Sequence, residues 1–212
     1  MNKINYQKEL DRVIAEHMSR GEVPKLLLHV CCAPCSSYCL EYLSEFFDIT
    51  VYYYNPNISL KEEYEYRLSE EQRYISLKEF KYPVSMTDSI YDPQEFFNAV
   101  KGLENEPEGG LRCKECFRLR LEASAKKAKE GGFDYFTTTL TISPLKDAAL
   151  LNTIGAEMGE KYGVSWLPGD FKKKEGYKRS IELSREYDLY RQNYCGCVFS
   201  KREAESRQAD KT

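Results

Sequence analysis

At 212 residues, 42% hydrophobic and 31% charged, the chain has the size and balance of one globular domain with a substantial core. No apolar run approaches the roughly 20 residues of a membrane-spanning helix, and the charged, amphipathic start MNKINYQKELDRVIAEH has no signal-peptide core. A net charge of −3 rules out a polycation overall, and a cytoplasmic protein without membrane association is expected.

Residues 4–19 are expected to form an amphipathic lead-in helix ended by Gly21. KLLLHV (25–30) reads as a fully buried first strand, and SSYCLEYLSEFF (36–47) as the helix after it. DITVYYYN (48–55), rich in β-branched and aromatic residues, is a second strand closed by the turn NPNIS. Ser59 followed by Glu62 has the form of a capping box opening a helix to about Phe80. YPVSMT (82–87) is a third strand, and Asp92-Pro93 with Glu95 starts the next helix. GLENEPEGG (102–110) is a loop, and a helix from about Lys114 to Glu130 stops at Gly131-Gly132. FDYFTTTL (133–140) is a fourth strand, TISPLKD a loop, residues 146–162 a helix and VSWLP a short fifth strand. After GDFKKKEGYK comes a last helix to about Tyr187, then YRQNYCGCVFS. The chain is read as one domain over residues 1–200, with 201–212 as a polar tail expected to fray. Strands spaced by helices in this way imply a three-layer α/β/α fold with a mainly parallel, Rossmann-like sheet. Ligands in such folds bind beyond the carboxyl ends of the strands, where CCAPC and TISPLK should both emerge.

Half of the 8 cysteines lie in HVCCAPCSSYC (29–39), and the others form two pairs, Cys113 with Cys116 and Cys195 with Cys197. In a cytosolic chain such clusters point to metal or redox chemistry rather than disulfides. Cys39 stands one helical turn from Cys35 and reads as a small core residue. The remaining seven thiols exceed the four that one tetrahedral zinc takes. Adjacent side chains diverge when the backbone is extended, so Cys31 and Cys32 are expected to serve two neighbouring centres. Cys32, Cys35, Cys113 and Cys116 can supply the four ligands of a [4Fe–4S] cluster. Cys31, Cys195 and Cys197 then give a second metal three ligands and an open position, the layout of a catalytic site.

Positive charge gathers beside these cysteines. Residues 111–129 hold seven cationic side chains against two anionic ones, and residues 172–191 hold seven against four, so the rest of the chain is acidic. Solvated helix faces would account for this, and so would an anionic partner such as nucleic acid. The strongest phosphate-binding candidates are Lys172, Lys173, Lys174, Lys178 and Arg179, with Arg191 beyond them. Lys146, in the loop after the fourth strand, is a further one. Tyr54 and Asn55, with Tyr53, end a strand at the active edge and could contact a flipped base. His29 reads as a satisfied core residue, with ligand or proton donor as the alternative.

HVCCAPCS, YYNPNI, RCKECFRLRL, TTTLTISPLKD and LPGDFKKKEGYKRSIELSREYDLYRQNYCGCVFS together resemble the epoxyqueuosine reductases of the QueH type, from about Lys25 to Ser200. The resemblance implies a cobalamin-independent enzyme that reduces epoxyqueuosine to queuosine at the wobble position of tRNA. It also implies an iron–sulfur cluster beside a separately held iron, with Cys31, Cys32, Cys35, Cys113, Cys116, Cys195 and Cys197 as ligands. Which of Cys31 and Cys32 serves which centre stays open. No G-x-G-x-x-G follows the first strand, so electrons must come from an external donor. Two rivals are a tRNA sulfur-transferase of the ATP-pyrophosphatase type and a zinc-stabilised RNA-binding module. CCAPCSS in place of a Ser/Gly-rich phosphate loop counts against the first, and the odd set of thiols against the second.

Overall fold

The computed structural model describes residues 4–88 and 90–209. At its centre is β1 (Lys25–His29), whose Leu26, Leu27 and Leu28 are fully buried. A strand buried on both faces reads as an unbroken apolar run, which is why KLLLH shows no alternation. β1 pairs in parallel with β2 (Asp48–Tyr52) on one side and with β4 (Tyr135–Thr138) on the other. β3 (Val84–Met86) and β5 (Ser165–Trp166) complete an all-parallel sheet of order β3-β2-β1-β4-β5.

Side chains alternate across the sheet, and so do the two cores. Leu26 and Leu28 join Leu10, Leu40, Ile49, Val51 and Tyr74 on the face covered by α1 (Tyr6–Arg20), α2 (Ala33–Leu43) and α3 (Lys61–Leu77). Leu27 and Phe136 face the other way, onto Leu121 of α5 (Leu111–Glu130) and onto Leu151 and Ile154 of α6 (Ala148–Tyr162). Each fully buried leucine is worth about 1.5–3 kcal/mol relative to exposure, so β1 anchors both layers. Three more helices, α4 (Pro93–Ala99), α7 (Gly176–Glu186) and α8 (Val198–Ala209), pack around this frame, α7 against α2. Among the described residues no helix is long and apolar enough to cross a membrane.

Four local expectations change. α2 begins at Ala33, with Pro34 in its first turn, so Cys35 is helical. α5 begins at Leu111, so Cys113 and Cys116 are helical as well. Ser59 does not cap α3; Leu60 is the N-cap, and Ser59 Oγ accepts the Val198 N–H at 3.0 Å. The segment from Lys201, expected to fray, runs as helix to Ala209, and its Glu203 pairs with buried Arg112 at 3.0 Å. Residues 210–212 of that segment lie outside the described residues.

Candidate active site and metal centre

β1 and β4 are neighbours whose connections leave in opposite directions, and the crevice this opens lies beyond their carboxyl ends. From β1 the chain turns at Val30–Cys31 into α2, with Cys32 as an extended N-cap. That turn brings the sulfurs of Cys31, Cys32 and Cys35 within 4.8 Å of one another. Cys32 and Cys35 are 2.8 Å apart and Cys31 and Cys32 3.8 Å apart. An extended backbone would make adjacent cysteines diverge; here a strand end folds into a helix, and both sulfurs face the same space. No other three His, Cys, Asp or Glu donors cluster as closely among the described residues.

The other two pairs arrive from separate elements. Cys113 and Cys116 occupy the start of α5, where the Gly109 N–H reaches Cys113 Sγ at 3.2 Å. Cys116 and Cys197 are buried together with Phe96. Between Cys195 and Cys197, Gly196 takes φ +125°, a conformation that glycine tolerates and L side chains rarely adopt. The loop is pinned on two sides. The Ser59 N–H donates to the Gly196 carbonyl at 3.2 Å, and Arg67 Nη1 donates to the Cys195 carbonyl at 3.2 Å. Arg67 is itself buried, paired with Glu63 and laid over the Tyr194 ring at 5.2 Å. Cys31, Cys35, Cys113 and Cys195 all line one cavity of about 360 Å³, so each cysteine group contributes to a single site.

Charge explains why such a site favours a cation. Hydrogen bonds from Cys32 and Cys35, helped by Arg120 and Lys146, hold the Cys31 thiol well below its usual range. Burial pushes Cys32 up to about 12, while hydrogen bonds to Cys31 and Cys32, with burial, push Cys35 up. Burial also lifts Cys116 to about 12. Positive charge from Arg120 and Lys146 favours the Cys31 thiolate, burial disfavours the thiolates of Cys32 and Cys116, and a bound cation would offset that burial. Soft sulfur donors converging on one space, with more potential negative charge than the protein balances, fit an iron–sulfur cluster or a thiolate-held metal ion.

The floor of the site is a buried polar network. Arg120 Nη2 donates to Asn55 Oδ1 at 2.5 Å, and Asn55 Nδ2 donates to the Val30 carbonyl at 2.9 Å. His29 Nε2 lies 3.0 Å from the Tyr54 carbonyl and 3.3 Å from Arg120 Nε, and Nδ1 lies 2.8 Å from Thr138 Oγ1, so both ring nitrogens have polar partners in either neutral tautomer. Burial and the Arg120 cation drive His29 down to about 3, so it is neutral and satisfied, the core role expected for it.

Of the other expected residues, Lys146 and Arg191 line the cavity. Asn55 is fully buried with both amide atoms engaged, and Tyr54 is buried with its hydroxyl on Glu95 and its ring stacked on Tyr52. Neither presents a free polar group to a base; their place is in the floor. Lys172 pairs with Asp170 at 2.6 Å, Lys174 with Asp11 at 2.7 Å, Lys178 with Glu175 at 3.3 Å and Arg179 with Glu41 at 2.8 Å. Lys173 is exposed and has no ion-pair partner among the described residues. None of these five lines the cavity. Three contributors escape a reading of the sequence alone. Arg120 follows Cys113 and Cys116 at i+7 and i+4, a helical stripe visible once α5 is extended back to Leu111. Gln192 lines the cavity with a buried Oε1 lacking a partner, and Tyr177 stands at its edge. Neither carries a local sequence signal.

The family model described as epoxyqueuosine reductase QueH matches residues 26–203. Among curated relatives, a Staphylococcus epidermidis protein is 47% identical over 202 residues, covering 93% of this chain and 85% of its own length. A Streptococcus pyogenes serotype M1 protein is 45% identical over 222 residues, covering 99% and 87%. A Thermotoga maritima protein is 37% identical over 191 residues, covering 87% and 94%. All three bear the name epoxyqueuosine reductase QueH.

Proposed function

The chain belongs to the QueH family of epoxyqueuosine reductases, and from that premise we propose that it converts epoxyqueuosine to queuosine at the wobble position of cytoplasmic tRNA, without cobalamin. The observation that carries the reading is the convergence of Cys31, Cys32 and Cys35 on a cavity whose walls also hold Cys113 and Cys195. Turning an epoxide into an alkene takes two electrons and two protons, and the oxygen leaves as water. The electrons come from an external donor, because the sequence carries no flavin or nicotinamide fingerprint.

Cys32, Cys35, Cys113 and Cys116 are assigned to a [4Fe–4S] cluster, and Cys31, Cys195 and Cys197 to a second metal, iron; Cys31 and Cys32, whose sulfurs face the same space 3.8 Å apart, are interchangeable between the two centres. When bound, these groups supply single electrons and a Lewis-acidic position for oxygen. The chain's own residues do the rest. Arg120, buried beneath the sulfurs, sets positive charge against the thiolates. Lys146 brings an ammonium into the cavity, able to donate to an oxygen or a phosphate. The orphaned Gln192 Oε1 offers an acceptor to a polar edge of the substrate. A cavity of about 360 Å³ lies within the size range of small-molecule sites, and its open mouth leaves a way in for a nucleoside.

The test is anaerobic purification with iron and sulfide quantitation, followed by turnover of epoxyqueuosine-containing tRNA with a chemical reductant. Brown, iron- and sulfide-bearing protein that forms queuosine is expected. Colourless protein holding zinc and giving no turnover would sink the proposal.

A further inference from the structure

One residue at the mouth of the cavity has no part in the chemistry above. Leu145 is 83% exposed, the most exposed large hydrophobic side chain among the described residues, and it borders the cavity. A lone exposed leucine ordinarily means nothing. This one is held in place. The Lys146 N–H donates to the Ser143 carbonyl at 3.3 Å, closing a turn with Pro144 and Leu145 at its tip. Ser143 Oγ accepts the Leu145 N–H at 3.3 Å, and Asp147 caps α6 directly after the turn, accepting from Ala149 and Leu150 at 2.8 and 3.2 Å. The turn is thus fastened at both ends while its apolar tip stands in water. The next residue, Lys146, lines the same cavity together with Cys31, Cys35 and Cys195. Lys146, Arg191 and Arg207 border the same cavity against Glu108 and Asp147, and Arg207 pairs with Glu108 at 3.6 Å, so Lys146 and Arg191 are the cations there without an ion-pair partner among the described residues, open to a phosphodiester chain.

A base inside a stacked anticodon loop cannot reach a recessed site unless it leaves the stack, and the gap it leaves must be filled or closed. Apolar side chains inserted between bases are a known way to hold nucleic acid in such an unstacked form. We propose that Leu145 is this wedge: it enters the anticodon stack as the modified base enters the cavity, and the cations at the mouth hold the flanking phosphates. The proposal rests on the tRNA reading given above.

The experiment uses the anaerobically purified protein and an anticodon stem-loop carrying epoxyqueuosine, with 2-aminopurine as its 3′ neighbour. The wild-type protein should bind and raise the 2-aminopurine fluorescence as that base loses its stacking partner. Leu145→Ala should still bind, measured by anisotropy, but lose most of that rise and about five- to tenfold in kcat/KM, the low end of the range for removing an aromatic side chain stacked on one base, as suits an aliphatic wedge. Leu145→Phe, which restores a flat apolar surface, should recover both. Leu145→Ala with wild-type fluorescence and turnover would overturn the wedge and leave the tRNA reading standing. A wild-type protein that binds no stem-loop would overturn the tRNA reading, and the wedge with it.

Discussion

Gly196→Ala probes how tightly the loop between two site cysteines is specified. At φ +125° an alanine adopts a conformation that costs on the order of 1–3 kcal/mol. Its Cβ would also lie 2.9 Å from Ile58 Cγ1, 3.3 Å from Arg67 Nη1 and 3.4 Å from Asn57 Nδ2. Ile58 and Arg67 are each 1% exposed, so neither can step aside freely. Overpacking of this kind adds about 1–3 kcal/mol. If the loop holds its position, the total of about 2–6 kcal/mol lowers the Tm by roughly 4–24 °C, at 2–4 °C per kcal/mol for a chain of this length. If the loop instead gives way, Cys195 and Cys197 move and, on the proposed ligand set, the protein should lose iron. Thermal unfolding by circular dichroism and iron content per chain, both under anaerobic conditions, separate the two outcomes. Gly132→Ala is the control: φ is +66° with nothing within 4 Å of the added Cβ, so it reports backbone strain alone. A Gly196→Ala protein matching that control in both Tm and iron would refute the reasoning.

Removing either ligand proposed on α5, Cys113→Ala or Cys116→Ala, should abolish the visible absorption of the proposed iron–sulfur centre; full iron, sulfide and colour in both variants would reject the assignment. Cys197→Ala should keep most of that absorption and lose epoxide reduction, so near-normal turnover would make any second metal structural. Reversing charge at Lys172, Lys173 and Lys174 together should weaken tRNA binding and flatten its salt dependence, by about 0.9 in slope for each phosphate no longer neutralised. Single alanine variants should trace most of this to Lys173, because Lys172 and Lys174 already hold Asp170 and Asp11; equal effects of Lys173→Ala and Lys174→Ala in salt titrations would contradict that. Glu71 is fully buried, and burial raises its pKa from 4.5 to about 8. The folded state therefore keeps a proton that the unfolded state releases, and stability falls as pH rises from about 5 to 8. Glu71→Gln should flatten that slope in denaturant titrations at several pH values, and an unchanged slope would show that the carboxyl ionises as freely in the fold as outside it.

The layer architecture was legible because it rests on local pattern. The unbroken KLLLH, the β-branched DITVY and the alternation of strands with helices each follow from burial, and burial leaves its mark on composition. The carboxyl-edge site was legible for the same reason, since strand ends fix where CCAPC and TISPLK emerge. Legibility failed where a distant partner overrode a local rule. Ser59 has the sequence of a cap, but the Val198 N–H takes its hydroxyl. The cations from Lys172 to Arg179 look free in the sequence, but Asp170, Asp11, Glu175 and Glu41 meet four of them. Asn55 looks like a substrate contact, but a guanidinium from α5 claims it. Pairings across such separations are properties of the fold and leave no trace in a window of ten or fifteen residues.

The network beneath the thiols has one more effect. Arg120, Asn55, His29 and Thr138 are each at most 1% exposed, and the imidazole, amide and hydroxyl are already committed to fixed partners. Dipoles locked in this way cannot swing when the charge above them changes. Water would respond to such a change by turning, and that response is a large part of what slows a charge-transfer step. A floor that stays still keeps this reorganisation small, so the sulfurs of Cys31, Cys32 and Cys35 rest on a surface already oriented for more than one charge state.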